Sequence, residues 1–442
     1  MLGRLALRLA LSAAVPVLAR AQANADEPVS TASATSTVLD MTLGATRSDN
    51  VRRTATNEVE DTLATIGLVA DVMRDGTQLD YSLKSDIAWT EYLDDTYSGL
   101  PIGYLDGLLG IGSERFRWNF QDTFDQAIVD PFQSFTPDNL QSVNYFTTGP
   151  QVDLPLTSST RLTLRADYSV VTSNSDSPQF TDLDSTRYSG SLMLTRDVSN
   201  ISNVYLSADA QHVDYDDPAN ADYKRQAYYL GYRGNGSRTT LDAAVGYVEI
   251  GGDSDTSGGW VGRFELGRRV SPASTISVYA SRDISDATNL FRSGPDRRTP
   301  IQSSTKIATA DVFVTDALGA GWAFQMAHTQ FSLGASASKE QHDADPTLDR
   351  TIKGANASFA RIMTPLLSLS LAASYRREDY DTTSFKNDIV EGSAGLSWRM
   401  GRRVALSLLY DRFDQNSTDD SATFTENRAG LNLVYHFAAQ AQ

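Results

Sequence analysis

The segment PLLSLSLAASYRREDYD, residues 365–381, alternates between apolar and polar side chains. A β-strand turns successive side chains to opposite faces, so this period of two predicts a strand with one apolar face and one polar face. The apolar face carries Leu367, Leu369, Leu371, Ala373 and Tyr375, and the other carries Ser368, Ser370, Ala372, Ser374 and Arg376. Either a second sheet or a lipid membrane can cover an apolar face of this kind.

The N-terminus has the pattern of a secretory signal peptide. Arg4 and Arg8 give it a basic start, residues 9–18 are apolar except for Ser12, and small residues at alternate positions follow. This pattern predicts that residues 1–25 direct export and are then cleaved. Residues 26–35 are predicted to be a flexible periplasmic lead-in. For residues 1–25, the alternative to a signal peptide is an amphipathic N-terminal helix.

Composition narrows the class of protein. The chain has no cysteine and therefore no disulfides, and its net charge of -17 argues against a nucleic-acid partner, because phosphate binding needs a basic surface. No segment after residue 25 approaches the length of apolar sequence that a transmembrane helix requires. A large soluble β protein and a transmembrane β-barrel remain.

The alternating pattern recurs along most of the chain. It predicts about twenty strands between residues 36 and 437, with eighteen as the alternative. The segment with the weakest strand pattern is 103–112. Two consecutive strands are predicted at 303–316 and 323–342. The connections alternate between short turns, such as RDVSNIS (196–202), and longer, mostly acidic loops, such as DYDDPANAD (214–222). Such alternation is typical of an up-and-down barrel with short periplasmic turns and long extracellular loops.

Size decides between the two classes. Twenty strands without a helix or a linker exceed what an open soluble sheet normally holds, whereas a closed barrel leaves no edge strand. The sequence therefore predicts an all-β, transmembrane, antiparallel up-and-down β-barrel over residues 36–437, located in the outer membrane, with a C-terminal tail at 438–442. Aromatic residues near strand ends are predicted to form interfacial girdles: Trp89, Tyr92, Trp118, Tyr145, Tyr247, Trp260, Trp398 and Tyr410.

The last predicted strand, NRAGLNLVYHF (427–437), ends in alternating aromatic residues. Tyr435 and Phe437 are predicted to form the signal that the barrel-assembly machinery reads, although AAQAQ follows Phe437. Outer-membrane lipid and lipopolysaccharide are the other expected partners.

One family resemblance covers most of the mature chain in a loose pattern, and the Asp49-Asn50 loop is its one recognisable short motif. MTLGATRSDN (41–50) is a strand that ends in an Asp49-Asn50 loop, and a hairpin and GYLDGLLGIGSERFRWNFQDTFDQAI (103–128) follow. This arrangement resembles the outer-membrane β-barrel family associated with exopolysaccharide and exosortase (PEP-CTERM) systems of Gram-negative bacteria. The resemblance implies a role in polysaccharide export or envelope assembly, and it implies no catalytic residues.

The predicted polar faces carry charges of both signs. Such a lumen suits a hydrated channel, but cross-strand ion pairs that fill the interior would give the same pattern. The candidate lumen residues are Asp80, Lys84, Asp86, Arg117, Arg165, Asp167, Asp209, Arg263, Glu265, Arg282 and Arg376.

Two loops are candidates for binding. The loop NLFRSGPDRRTPIQ (289–302) carries Arg292, Arg297 and Arg298, which could fold inward and attract an anionic substrate, or contact lipopolysaccharide phosphates. In VDPFQSFTP (129–137), Phe132 and Phe135 could stack on sugars or simply pack.

Motifs for catalysis or cofactors are absent from the sequence. The histidines have no metal-ligand spacing, and the acidic loops do not fit the calcium-loop pattern. His212 lies near Asp214 and is interpreted as a solvated loop residue rather than part of a hydrolase site. The prediction is a non-enzyme without metal or cofactor.

Two functional hypotheses remain open. The first is a channel or envelope component that exports exopolysaccharide or passes polar solutes. The second is a plugged structural or adhesive barrel whose acidic loops bind partners outside the cell.

Overall fold

The computed structural model describes residues 35–175, 177, 179–252, 256–287 and 306–437. Their strands are β1 (Thr35–Ser48), β2 (Asp61–Arg74), β3 (Leu79–Tyr92), β4 (Leu100–Gly112), β5 (Phe116–Ile128), β6 (Leu140–Thr157), β7 (Thr160–Asn174), β8 (Ser185–Ser199), β9 (Ser202–Tyr215), β10 (Tyr223–Asn235), β11 (Thr239–Gly251), β12 (Thr256–Ser271), β13 (Ser274–Asp286), β14 (Val312–Met326), β15 (Thr329–His342), β16 (Arg350–Thr364), β17 (Leu367–Tyr380), β18 (Lys386–Arg399), β19 (Val404–Ser417) and β20 (Phe424–His436). Three single-turn 3-10 helices lie in loops, at Pro137–Asn139, Pro346–Leu348 and Asp420–Ala422.

The twenty strands form one closed antiparallel sheet. Each strand pairs with its neighbours in sequence, and β1 pairs with β20 from Asp40–His436 to Ser48–Arg428. Closure gives every strand a pairing partner on both sides, and a lipid environment requires such pairing of the backbone hydrogen-bonding groups. The predicted transmembrane up-and-down barrel of twenty strands is confirmed. Within the described ranges, no helix is long and apolar enough to cross a membrane.

The connections separate by length into the two ends of the barrel. At one end, which we call the short-turn end, the turns are tight; only Ala327 and His328 separate β14 from β15. At the other end, the long-loop end, the connections include residues 49–60, 129–139 and 287–311. The start of β1 and the end of β20 lie at the short-turn end because the strand number is even. The predicted sorting of short and long connections is confirmed.

The outer wall carries the apolar side of each strand. On β17, Leu371 and Tyr375 are each 42% exposed on the outside, whereas Glu378, of the opposite parity, is buried inside the barrel. The apolar face of residues 365–381 therefore points outward, to the side that lipid covers. Trp118, Trp260, Trp398 and Tyr410 are also exposed large side chains.

Two of the predicted girdle aromatics lie elsewhere. Tyr92 and Tyr145 are almost completely buried, in clusters inside the long-loop end of the barrel. Tyr145 belongs to the inward parity of β6, opposite to that of the exposed Phe146, so its position near a strand end was not sufficient to place it in a girdle. The girdle prediction is wrong for these two residues.

The predicted boundaries of β14 were also wrong. The strand was expected at 303–316 but spans Val312–Met326, and β15 starts at Thr329 instead of residue 323. Gly319 and Gly321 fall in the gap between the two predicted strands, yet both lie inside β14. Gly319 pairs directly with Tyr279 of β13, and a Cβ at Gly319 would come within 2.4 Å of the Tyr279 ring. The glycine is needed for a neighbouring side chain rather than for a turn.

Candidate functional site

The barrel lumen receives most of the side chains proposed from sequence. Their strand positions have the inward parity, opposite to the exposed apolar residues, and several of them line one internal cavity. The inward-facing candidates are Asp80, Lys84, Asp86, Arg117, Arg165, Asp167, Asp209, Arg263, Glu265 and Arg376.

Arg282 lies at the point where β13 leaves β12. It follows the parity of the exposed Ile276 and Val278, yet it also borders the same cavity as the other candidates. Its guanidinium lies 2.8 Å from the carboxylate of Asp316 on β14, and both side chains are about half exposed. This cross-strand pair balances the charge of Arg282 at the edge of the cavity.

A cavity of about 900 Å³ lies inside the barrel against β5 to β13. Its wall combines guanidinium, carboxylate, amide and hydroxyl groups. The residues that matter for its chemistry are Arg117, Gln121, Gln151, Arg161, Arg165, Asp167, Ser189, Tyr205, Asp209, Arg225, Arg233, Arg263, Glu265 and Tyr279. The cavity is therefore polar and suits a hydrated solute better than an apolar ligand.

Ion pairs across strands organise the charges of this wall. Asp242 of β11 accepts hydrogen bonds from Arg233, at 3.1 Å, and from Arg263, at 3.3 Å. Arg263 also donates to the Tyr205 hydroxyl at 2.7 Å, and the Arg233 guanidinium lies 4.6 Å from the centre of the Tyr205 ring. The pairing fixes these arginine side chains in place, so this part of the wall is preorganised.

Further pairs lie along the same wall. Arg165 is 2.8 Å from Asp167, and Arg117 is 3.1 Å from Asp80. Both of the alternatives left open by the sequence are thus partly realised, since the charges pair with one another and also line a cavity.

Three lumenal tyrosines lie against glycines directly opposite on the neighbouring strand. Tyr205 faces Gly231, and Tyr229 faces Gly246. The third such pair is formed by Tyr279, which lies over Gly319 in β14. A Cβ on any of these three glycines would come within about 2.5 Å of a tyrosine ring atom. The rings therefore lie along the wall instead of projecting across the lumen.

The opposite wall, from β14 to β18, is different in character. Most of its inward side chains are small and uncharged over the short-turn half: Gly319, Ser332, Gly334, Ser336, Asn356, Ser358, Ser370, Ser374, Ser393, Gly395 and Ser397. Hydroxyls pair across strands, as between Ser332 and Ser358 at 2.6 Å. Small side chains leave space free. In the short-turn half, the lumen is therefore charged on the β5–β13 side and carries mostly small, uncharged side chains on the β14–β18 side.

A chain segment crosses the lumen near the long-loop end. Pairing between β12 and β13 stops at Gly262–Arg282, and beyond this point β13 bends inward. Ile284 is buried against Val213, Tyr223 and Val248 of the inner wall. Two short segments, residues 283–287 and 306–311, form this crossing, and we call them together the strap.

One buried ion pair fixes the first part of the strap. The Asp286 carboxylate accepts a hydrogen bond from Arg187 of β8 at 2.8 Å and one from the Tyr215 hydroxyl at 3.0 Å. Both charged side chains are fully buried. The Arg187 guanidinium also lies 5.7 Å from the centre of the Tyr145 ring. Because solvent reaches neither charge, loss of one side chain would leave the other as an unpaired buried charge, which is strongly unfavourable.

The second part of the strap is attached to the far side of the cavity. Ile307 forms an isolated parallel bridge with Ile128 at the end of β5, and the Lys306 ammonium pairs with Asp125. Ala308 is buried in a cluster with Val143 and other inner-wall residues. The strap therefore spans from β8–β10 to β5–β7 across the interior.

A loop closes another part of the same end. In residues 129–139, the Phe132 ring lies 5.0 Å from that of Tyr380 and 5.1 Å from that of Phe385, which belong to the β17–β18 region. Phe135 contacts the guanidinium of Arg53. We call residues 129–139 the aromatic loop. The two phenylalanines that could have stacked on sugars are instead packed against protein.

Arg53 connects the β1–β2 loop to this closure. It is 3.0 Å from Glu426 and donates to the Phe135 carbonyl at 2.7 Å. Its guanidinium lies 4.9 Å from the Phe413 ring centre. Burial lowers the pKa of Arg53 from its ordinary value, and the neighbouring Glu426 carboxylate opposes this change. Arg53 is a tightly enclosed cation in the long-loop end.

These buried charges are the residues that sequence reasoning missed. Arg53, Arg187, Arg350 and Glu426 are nearly inaccessible to solvent, and Arg350 pairs with Glu340 at 2.7 Å. Each lies in a loop or close to the long-loop end of a strand, where charges usually suggest solvent. For Arg187, Arg350 and Glu426, a charged residue of inward parity at a strand end is the signal that could have indicated them, whereas Arg53 lies in a loop and has no such signal.

The remaining candidate sites are placed as follows. His212 lies 2.8 Å from Asp214, and both are substantially exposed. No group of three or more His, Cys, Asp or Glu in the described ranges could hold a metal ion. Arg292, Arg297 and Arg298 lie outside the described residues. Tyr435 and Phe437 contact edge to face at the end of β20, and their role as an assembly signal stays a prediction.

Comparison with known proteins agrees with a barrel of the porin type. A family model described as "Putative beta-barrel porin 2" matches residues 303–437, which include β14 to β20. No curated protein matches the chain. This C-terminal part of the barrel is thus similar to a porin family.

Solved structures that match most of the chain include a siderophore receptor and an iron transporter. The siderophore receptor PirA from Pseudomonas aeruginosa is 11% identical, covers 90% of this chain and 80% of its own, and has a TM-score of 0.46. OccK2 (OpdF) from Pseudomonas aeruginosa is 10% identical, with coverage of 91% and 98% and a TM-score of 0.40. The FrpB iron transporter from Neisseria meningitidis is 10% identical, with coverage of 90% and 81% and a TM-score of 0.46.

Proposed function

We propose that the protein is an outer-membrane channel for polar solutes whose long-loop end is closed at rest. Its short turns then face the periplasm and its long acidic loops face the outside. Export through a cleaved signal peptide at residues 1–25 belongs to the same proposal.

One observation carries this function. A polar cavity of about 900 Å³ lies within the barrel, while the strap and the aromatic loop cross the lumen beyond it. A barrel that served only as a scaffold would need no preorganised polar cavity. A permanently open porin would need no buried crossing segment fixed by Arg187 and Asp286.

The proposed cargo is a polar solute. Exopolysaccharide is the proposed example, on the basis of the family resemblance. Lipopolysaccharide around the outer loops and the barrel-assembly machinery acting on Tyr435 and Phe437 are the proposed partners. No catalytic step is part of the proposal.

Single-channel conductance of the refolded full-length protein in a planar bilayer tests the channel. We expect rare openings from a mainly closed state, and we expect added acidic oligosaccharide to interrupt the open current. Stable porin-size conductance without closures would contradict the closed resting state.

The second candidate function is a plugged structural or adhesive barrel. The observation that favours it is the closure itself, since the Arg53–Glu426 and Arg187–Asp286 pairs are both buried at the long-loop end. This function predicts no current from the native protein, and none after the strap has been weakened. Heat-modifiable migration on gels would show that such a silent protein is nevertheless folded and inserted.

A further inference from the structure

The two ends of the barrel differ in charge despite the overall net charge of -17. The long loops are mostly acidic, whereas exposed arginines surround the short-turn end. Seven of them, which we call the arginine rim, are Arg74, Arg196, Arg238, Arg268, Arg361, Arg402 and Arg403. The exposed acidic residues in and beside the short turns of the described part are Asp75, Glu114 and Asp197. The rim is therefore cationic on a strongly anionic protein.

Several rim arginines lie on the outer wall. Arg196 continues the outward parity of the exposed Leu192 and Leu194 on β8. Arg268 does the same for Phe264 on β12. These guanidinium groups thus stand directly below the apolar surface of the barrel, not inside the lumen.

Arg361 has the same placement on the other side of the barrel. It pairs with Leu369 on the outward face of β16 and β17. Because Arg361 is eight strands from Arg196, the rim extends around much of the circumference instead of forming one local patch.

Exposed apolar residues accompany the rim in the same turns. Val198 and Ile201 are exposed in the β8–β9 turn, Met326 beside the β14–β15 turn, and Met363 and Leu366 in the β16–β17 turn. Apolar side chains in a turn are unfavourable in water but suit the boundary between acyl chains and headgroups. Long arginine side chains at this level extend toward the polar layer.

The type of cation indicates which class of ligand the rim binds. All exposed outward-facing cations at this end, within the described ranges, are arginines, whereas the exposed Lys224, Lys353 and Lys386 lie closer to the other end. A guanidinium binds phosphate through two parallel hydrogen bonds, which an ammonium cannot do. We propose that the arginine rim binds the phosphate headgroups of anionic phospholipids in the leaflet at the short-turn end.

Lipid competition tests this inference. The full-length protein, refolded in detergent, is mixed with equal amounts of phosphatidylglycerol and phosphatidylcholine, and the retained lipids are counted by native mass spectrometry. We expect several-fold more phosphatidylglycerol than phosphatidylcholine, because a basic residue near an anionic surface contributes on the order of fivefold at low salt. High salt should reduce the preference.

Two matched triple variants separate the rim from general charge. Arg196→Gln, Arg268→Gln and Arg361→Gln together should bring the lipid ratio close to one. Arg52→Gln, Lys224→Gln and Lys353→Gln remove the same charge from exposed positions elsewhere and should leave the ratio unchanged. Heat-modifiable migration on gels verifies folding of both.

Three results would overturn the proposal. These are a wild-type ratio near one, an unchanged ratio in the rim variant, and an equal loss in both triple variants. Salt-sensitive binding of poly-L-glutamate without any lipid preference would also overturn it, and would assign the rim to an acidic protein instead. Conductance plays no part in these measurements, so they stand apart from the test of the channel.

Discussion

Replacing Arg187 with glutamine should release the strap. Arg187 is the buried cation opposite Asp286, at 2.8 Å, and neither side chain is accessible to solvent. Glutamine is shorter and uncharged, so the Asp286 carboxylate would keep its hydrogen bonds from the Tyr215 and Tyr223 hydroxyls but would lose its counter-charge. A buried carboxylate without its counter-charge is strongly unfavourable where it stands.

The magnitude follows from the burial of the pair. Removing one partner of a buried ion pair typically costs about 3–5 kcal/mol. If the strap leaves the lumen, Asp286 regains solvent, so the cost applies to the closed arrangement and not to the open one. The open population should therefore rise by roughly a hundredfold to a few thousandfold.

Single-channel recording measures this change. We expect Arg187→Gln to show frequent or lasting openings under conditions in which the native protein is mostly closed. Asp286→Asn should act in the same direction and more weakly, because the isosteric amide keeps part of the hydrogen bonding. Arg161→Gln, at an exposed position of the cavity wall away from the strap, is the control and should leave the closed state unchanged.

A double substitution makes the reasoning refutable. Arg187→Met with Asp286→Leu removes both charges, and replacing both members of a buried pair by apolar residues is often neutral or stabilising. This variant should be closed again. If the single variants conduct no more than the native protein, or if the double variant conducts as much as Arg187→Gln, the ion pair does not hold the strap.

Three further predictions concern other parts of the barrel. Gly319→Ala should destabilise the barrel by about 1–3 kcal/mol in urea titrations in lipid, because its Cβ would lie within 2.4 Å of the Tyr279 ring, and adding Tyr279→Ala should recover part of the loss. Asp86→Asn should raise stability in the same titration by about 1 kcal/mol, since Asp86 is 2% exposed and neither carboxylate oxygen has a hydrogen bond; a loss of stability would show an essential charge there. Phe132→Ala should make the aromatic loop a site of limited proteolysis while the barrel stays intact, and protection equal to the native protein would contradict its anchoring role.

The sequence predicted the barrel well because the sheet is regular. Alternation along segments such as 365–381 reports which side chains share a face, and closure follows from strand number and connection length. Most lumen candidates, including Asp80 and Arg165, were identified from parity alone. Arg282 shows where parity alone is insufficient, because it follows Ile276 and Val278 along β13 yet borders the cavity where β13 leaves β12.

The closure of the long-loop end could not be predicted in the same way. The strap depends on Asp286 meeting Arg187, which are 99 positions apart, and no local pattern specifies that contact. The aromatic loop likewise depends on Phe132 reaching Tyr380 on a distant part of the barrel. The place of Gly319 inside β14 depends on a contact of the same kind, with the Tyr279 ring of β13.

The pairing of β1 with β20 has a consequence for how the protein folds. These two strands lie near opposite ends of the sequence; Asp40 and His436, which share a hydrogen bond, are 396 positions apart. Contacts between such distant residues form slowly, because the entropy of bringing the ends together is lost before the contact stabilises anything. Until then, both strands expose unpaired edges that can join another chain. Closure of the barrel should thus be the slow, aggregation-sensitive step of biogenesis. Slow folding is the kinetic consequence of a barrel that has no edge strand.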